Sequence, residues 1–200
     1  MAQRQIGIFL FDEVEVLDFA GPFEVLSLTT IAGTDIRPFK VKTVSEKGTS
    51  ISARNGLKIQ PDYSFENAPK FDILIVPGGY GAEEIEIHKP NVITWLQKQE
   101  ERVELICSVC TGAFLLAKAG ILDGKKATTH WMDIDRLEAE FPNILVIRDV
   151  KYVDEGSVIT SSGISAGINM SFYMVQKLLG NEVAQATAKR MEFDITLSCR

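Results

Sequence analysis

Leu105-Ile106-Cys107-Ser108-Val109-Cys110-Thr111-Gly112-Ala113 is the stretch on which the fold turns. A continuous apolar run reads as a strand buried on both faces, and a small-residue, apolar segment over about 111–119 reads as a helix leaving it at once. Ser108-x-Cys110-x-Gly112 then has the form of a nucleophile elbow with cysteine in the serine position. Small residues two before and two after the nucleophile permit the tight strand-to-helix turn. The turn would lift the sulfur above the sheet. Amides at the helix start are expected to lower the thiol pKa and raise the thiolate fraction. The competing reading is a buried core cysteine, a common fate for this residue. Cys107 and Cys110 also form a C-x-x-C, but a redox dithiol needs both sulfurs at a helix start. Cys107 falls inside the strand and is assigned to the core. Cys199 is expected to be a free, frayed thiol near the end of the chain.

The same alternation extends outward in both directions. Strands are expected at 5–10, 36–45, 72–76, 103–109 and 158–160, with shorter candidates at 125–128 and 144–148. Helices are expected from Gly21-Pro22 to about Ile31, then at 89–100, 131–140, 165–179 and 181–193. Gly48 and Asn55-Gly56 bracket a hairpin excursion. Gly120 ends the helix after Cys110. No repeat, linker or low-complexity segment interrupts the pattern, so residues 1–200 read as one domain. The fold class is α/β: a three-layer sandwich with a mostly parallel sheet and helices on both faces. Sites in such folds lie at the carboxyl ends of the strands. That rule selects the loops around Asp18, Gly78-Gly79 and Cys110.

Composition narrows the function. Of 200 residues, 46 % are hydrophobic and 24 % charged, which allows a large core and excludes general disorder. Twenty-seven acidic residues against 21 basic ones give a net charge of −6, which argues against a nucleic-acid surface. No apolar run is long enough to span a membrane, and no secretory signal is recognised at the start. Three cysteines make no disulfide framework, so a reducing cytoplasm is the expected location.

Three further candidates accompany the elbow. Asp18, within Val16-Leu17-Asp18-Phe19-Ala20-Gly21-Pro22, is an acid among apolar residues. Burial would raise its pKa and make it a proton donor or acceptor. Its structural alternatives are a turn aspartate or a helix cap. With Pro22 in the first helical turn, Gly21 is the better cap and Asp18 falls outside the helix. Glu24 is the rival acid, placed at a helix start. Asp72-Ile73-Leu74-Ile75-Val76-Pro77-Gly78-Gly79 puts two glycines after a buried strand, where the Gly79 and Thr111 amides could flank the sulfur as an oxyanion site. His130, after Ala127-Thr128-Thr129, either pairs with the cysteine or supports the pocket wall. His88 reads as a surface residue. The two histidines and three cysteines show no metal-ligand pattern, and no phosphate-binding glycine motif is present.

Together, Leu17 to Pro22, Phe71 to Gly79, Ser108 to Ala113, Gly120-Ile121-Leu122-Asp123-Gly124 and Ala127 to Trp131 resemble the ThiJ/PfpI superfamily, whose fold is like that of class I glutamine amidotransferases. The resemblance is strongest to isonitrile hydratases and to the amidotransferase-like domain of AraC-type transcriptional regulators. It implies Cys110 as nucleophile, Asp18 as the acid beside it, Thr111 as its neighbour, Gly79 and Thr111 amides at the oxyanion position, and His130 nearby. It also implies a homodimer, a small-molecule substrate or ligand, and no metal or organic cofactor. The protease branch places His directly after the nucleophile; here Thr111 stands there. Deglycase members use Glu where this chain has Asp18. The chain ends soon after its last expected helix, so no DNA-reading helix pair is expected and no nucleic acid is expected to bind this chain alone. The implied activity is cysteine-dependent hydration or hydrolysis of a small carbon–nitrogen substrate, foremost an isonitrile converted to an N-substituted formamide. The thiolate of Cys110 would attack the terminal carbon and Asp18 would supply the proton. The alternatives are a ligand- or redox-sensing domain and a glyoxalase- or deglycase-like enzyme.

Overall fold

The computed structural model describes residues 3–195. Cys199 lies outside them, as does the start at Met1-Ala2. Seven strands form the central sheet in the order β10 (Tyr152–Asp154), β11 (Val158–Ser161), β7 (Leu105–Val109), β6 (Ile73–Val76), β1 (Arg4–Phe9), β2 (Phe39–Ser45) and β5 (Tyr63–Ser64). All neighbours are parallel except β10, which runs antiparallel to β11 at one edge. Strands β6, β7 and β11 are buried along their whole length, which is why Ile73–Val76 reads as an unbroken apolar run and the other two show no polar alternation. Helices α1 (Val16–Leu28), α5 (Ala166–Leu179) and α6 (Asn181–Arg190) pack together over one face. Helices α2 (Pro90–Glu100) and α3 (Gly112–Lys118) cover the other.

The sandwich closes through apolar contacts on both sides of the sheet. Ile6, Ile8, Ile73, Ile75, Phe114 and Phe172 are all fully buried. Under α2, Trp95 stacks on Phe65 with centroids 3.9 Å apart, and Phe9 tilts against both. The α1–α5 crossing is close because it runs over glycines. A β-carbon on Gly21 would come within 2.7 Å of the Ile168 side chain on α5, and one on Gly167 within 2.9 Å of Val109, so Gly167 lets α5 approach β7.

Several boundaries differ from the sequence reading. Helix α1 begins at Val16, not at Gly21-Pro22, so Pro22 sits inside it. The first turn is fixed from outside the helix, since the Glu15 amide donates to the Gly78 carbonyl at 2.9 Å. Asp18 therefore lies in the first turn, and Glu24 is an exposed mid-helix residue rather than a residue at a helix start. The two short candidates become β8 (Lys126–Ala127) and β9 (Leu145–Val146), which pair with each other outside the main sheet. They flank α4 (Ile134–Glu140). The hairpin excursion is present as β3 (Ile51–Ser52) against β4 (Lys58–Ile59), joined through Arg54–Gly56. Edge strand β10 leaves no signal in the sequence, because Tyr152-Val153-Asp154 is half-buried and too short to show a period. Residues 81–88 form a π turn and a 3-10 turn, and they bury Glu86 against Lys89 at 2.8 Å.

Helix α3 can start where it does only because residue 112 has no side chain. A β-carbon there would lie 2.1 Å from the Val76 carbonyl oxygen and 2.7 Å from that of Pro77. Both obstacles are backbone and cannot swing away. Gly112→Ala is expected to destabilise the fold by about 1–3 kcal/mol or more, read as a lower urea midpoint at unchanged m-value.

Candidate active site

The carboxyl ends of β1, β6, β7 and β11 converge on one edge of the sandwich. There the chain leaves β7 through Cys110, whose φ is +55°. A non-glycine residue in that region carries strain, and at a site of chemistry the surrounding structure must hold it. Here the Cys110 amide donates to the Ser161 carbonyl at 3.2 Å, and its carbonyl accepts from Thr129 Oγ1 at 2.8 Å. The sulfur is nearly buried and opens onto a cavity of about 400 Å³ whose walls include Glu15, Arg54, Glu83, His130 and Asp133.

Asp18 reaches the same point from α1. It is fully buried; Oδ2 accepts from the Gly78 amide at 2.9 Å, while Oδ1 has no aligned hydrogen bond. Burial pushes its pKa up to about 8; the Gly78 amide opposes that shift and the Glu15 charge adds to it. The neighbouring Cys110 thiol also favours the carboxylate, though more weakly. The thiol itself is pushed far above its ordinary value, first by burial and then by the Asp18 charge; the Thr111 and Ile164 amides pull it partly back. This corrects the expected low-pKa thiolate. Amides at the helix start do face the sulfur, but desolvation and a buried carboxyl outweigh them. Burial therefore favours the protonated form of both groups.

Gly78 and Gly79 are drawn close to the elbow. A β-carbon on Gly78 would lie 2.5 Å from the Thr111 nitrogen. The Gly79 amide, expected to face an oxyanion, donates instead to Thr111 Oγ1 at 2.9 Å. His130 lines the pocket without a hydrogen bond to Cys110 among the described residues. Its Nδ1 accepts from the Met132 amide at 3.4 Å and lies 3.3 Å from Asp133 Oδ2. Gly163 leaves the space this ring needs, since a β-carbon there would sit 2.0 Å from His130 Cδ2. Cys107 lies within β7, fully buried, with its sulfur 3.7 Å from Met174 Sδ of α5.

A family model described as DJ-1/PfpI matches residues 4–177. The chain belongs to the DJ-1/PfpI family. It is 32 % identical to an isonitrile hydratase of Pseudomonas putida over 94 % of this chain and 78 % of that one. It is 29 % identical to the HTH-type transcriptional regulator GbdR of Pseudomonas aeruginosa, matching 96 % of this chain but only 51 % of the regulator. Among solved structures, a ThiJ/PfpI family protein from Pseudomonas syringae superposes with a TM-score of 0.87 at 27 % identity, covering 98 % of this chain and 78 % of that one. Drosophila melanogaster DJ-1beta gives 0.82 at 25 %, covering 98 % and 100 %.

Within this DJ-1/PfpI site, sequence reasoning missed Ile164, Arg54 and Glu83. Ile164 adopts φ +47° just beyond β11 and turns its amide toward the Cys110 sulfur. Nothing in Ser162-Gly163-Ile164 marks that role, apart from the glycine. Arg54 and Glu83 arrive on irregular turns with no motif of their own.

The Asp18 pKa links chemistry to stability. Its folded value of about 8 lies above the ordinary 3.8, so folding takes up a proton between those values. The associated stability is full below about pH 4 and is lost as pH rises toward 8. Asp18→Asn removes that loss. Its stability relative to wild type is expected to rise by roughly 4 kcal/mol from pH 5 to pH 8, measured by urea unfolding of both proteins at each pH. In the same variant Cys110 alkylation should move to lower pH, because the carboxylate charge that opposes ionisation is gone.

Proposed function

We propose that the protein is a cysteine-dependent hydratase of small isonitriles. The observation that carries this reading is Asp18: a fully buried acid beside the Cys110 thiol, with Oδ1 unbonded and burial favouring its protonated form. Addition to R–N≡C needs a proton at the terminal carbon as sulfur attacks it. In the proposed first step the Cys110 S–C bond forms, the Asp18 proton goes to that carbon, and the thiol proton passes to the vacated carboxylate. The product is the thioimidate R–N=CH–S–Cys110. Water then adds to the same carbon, and its proton reaches the imine nitrogen through Asp18. Breaking the C–S bond returns the thiol and releases R–NH–CHO. One isonitrile and one water give one formamide, with no net proton.

The bonding of Gly79 also favours this chemistry over acyl transfer. Hydrolysis of amides or esters needs amides preorganised toward an oxyanion. Here the Thr111 hydroxyl already takes the Gly79 amide, and the Thr111 and Ile164 amides face the sulfur. Identity of 32 % to an isonitrile hydratase over most of both chains supports the same assignment.

Formamide production is expected from simple alkyl and aryl isonitriles, absent in Cys110→Ala and lowered about 10²–10⁴-fold in folded Asp18→Asn, as for a lost general acid. Methylglyoxal and small amides belong in the same assay. Turnover of methylglyoxal alone would move the assignment to a glyoxalase-like activity. No turnover, with a metabolite raising the Tm of wild type and Cys110→Ala alike, would assign a ligand-sensing domain instead.

A further inference from the structure

We propose that the Cys110 pocket admits uncharged and cationic electrophiles and turns away anionic ones, with Glu15 and Glu83 setting that preference. This deepens the proposed function by naming a charge class for the substrate. It rests on that reading for the identity of the electrophile but not for the field around the sulfur.

Apart from Asp18, whose burial favours the neutral form, the charged groups around the sulfur are mostly acidic. Glu15, Glu83 and Asp133 stand on the cavity walls. Against them the walls offer one guanidinium, Arg54, whose Nε is 3.7 Å from Glu15 Oε2. A second, Arg136, stands behind Glu83, but it is divided among three carboxylates. It lies 3.1 Å from Glu83, 3.2 Å from Glu84 and 2.8 Å from Glu140, and packs over the Phe114 ring. One positive charge shared three ways leaves acid in excess. His130 is the remaining titratable group on the wall, and Asp133 sits 3.3 Å from it.

Burial is the first cause raising the Cys110 thiol, Glu83 and Asp18. Acidic neighbours add to it, Asp18 and Asp133 at the thiol, Asp133 and Glu84 at Glu83 and Glu15 at Asp18, while Arg136 and Arg54 oppose it at Glu83. Like charges converging on a narrow, half-enclosed cleft reinforce one another there and repel an anion at the mouth. An isonitrile carrying a carboxylate would meet this field along its whole approach. A neutral or amine-bearing one would not.

A charge series of thiol reagents tests the field without assuming any substrate. Cys110 is modified at pH 9 with the 2-(trimethylammonium)ethyl and the 2-sulfonatoethyl methanethiosulfonates. Each rate is divided by that of N-acetylcysteine amide, and peptide mapping assigns the site. The expected cation-to-anion preference is at least about tenfold at low salt, falling toward unity in 0.5 M salt as the charges are screened. Glu15→Gln and Glu83→Gln should each reduce it, and Arg54→Gln should enlarge it. Should Glu83→Gln fail to fold without its bond to Arg136, Glu15→Gln and the salt series still decide. Equal rates, a faster anion or no modification by either reagent would overturn the proposal; a faster anion would make Arg54 a carboxylate receptor. Isonitriles bearing a carboxylate, a methyl ester or a tertiary amine form the second arm, with kcat/KM expected lowest for the carboxylate. A selective thiol with no isonitrile turnover would sink the hydratase reading and leave the charge preference standing. Isonitrile turnover indifferent to charge would do the reverse.

Discussion

Everything at the site depends on holding one residue in the left-handed region between a buried strand and a buried helix. Cys110 cannot leave β7 in an extended conformation, because α3 must begin within two residues and against the ends of β6. The strain costs on the order of 1–3 kcal/mol. It is offset by bonds from both neighbours, the Ser161 carbonyl on one side and the Thr129 hydroxyl on the other. Gly112 removes the remaining obstacle, the Val76 and Pro77 carbonyls. The sulfur's position is therefore a property of the sheet rather than of a loop. Sheets shift far less than loops, which suits a group whose reaction depends on sub-ångström placement.

Asp18 imposes the second constraint, and it runs against stability. A carboxyl with no access to water must stay protonated or bear a large desolvation cost. One amide, from Gly78, lessens that cost without removing it. The α1–α5 crossing at Gly21, and the approach of α5 to β7 at Gly167, keep α1 close enough to the sheet for the carboxyl to lie beside the thiol. The Asp18 charge makes the thiol harder to ionise, while the thiol slightly eases ionisation of Asp18, so burial more than mutual repulsion favours the protonated form of each.

Much of this architecture is legible in the sequence, for identifiable physical causes. Strands buried on both faces leave continuous apolar runs, and those at β6 and β7 stand out. The elbow is visible because small residues flank a cysteine where a strand gives way to a helix, and packing alone does not ask for that spacing. Asp18 is visible as an acid among apolar neighbours, although the sequence misplaces its helix. Proline favours the first turn, so Pro22 reads as a helix start; the tertiary bond between Glu15 and Gly78 moves the start back to Val16. The low-pKa expectation for Cys110 fails for a related cause. Local sequence shows the helix amides, but the burial and the Asp18 charge come from elements remote along the chain. The same distance hides Arg54, Glu83 and Ile164, since each reaches the cavity from a separate irregular turn.

The arrangement of donors narrows what such a site can do. The amides at the elbow are taken: Gly79 donates to the Thr111 hydroxyl, Gly78 to Asp18, and those of Thr111 and Ile164 face the sulfur. A substrate that develops charge on oxygen would have to displace one of them. The uncommitted group is the Asp18 oxygen, and it offers a proton rather than a dipole. Chemistry that places a proton on carbon as sulfur adds draws on what the site has free, whereas chemistry that builds an oxyanion must first undo the Thr111–Gly79 bond. That asymmetry also explains why Thr111 in place of the histidine of the protease branch matters. A histidine there could not accept the Gly79 amide with a hydroxyl oxygen, and it would add a base where this site keeps a buried acid.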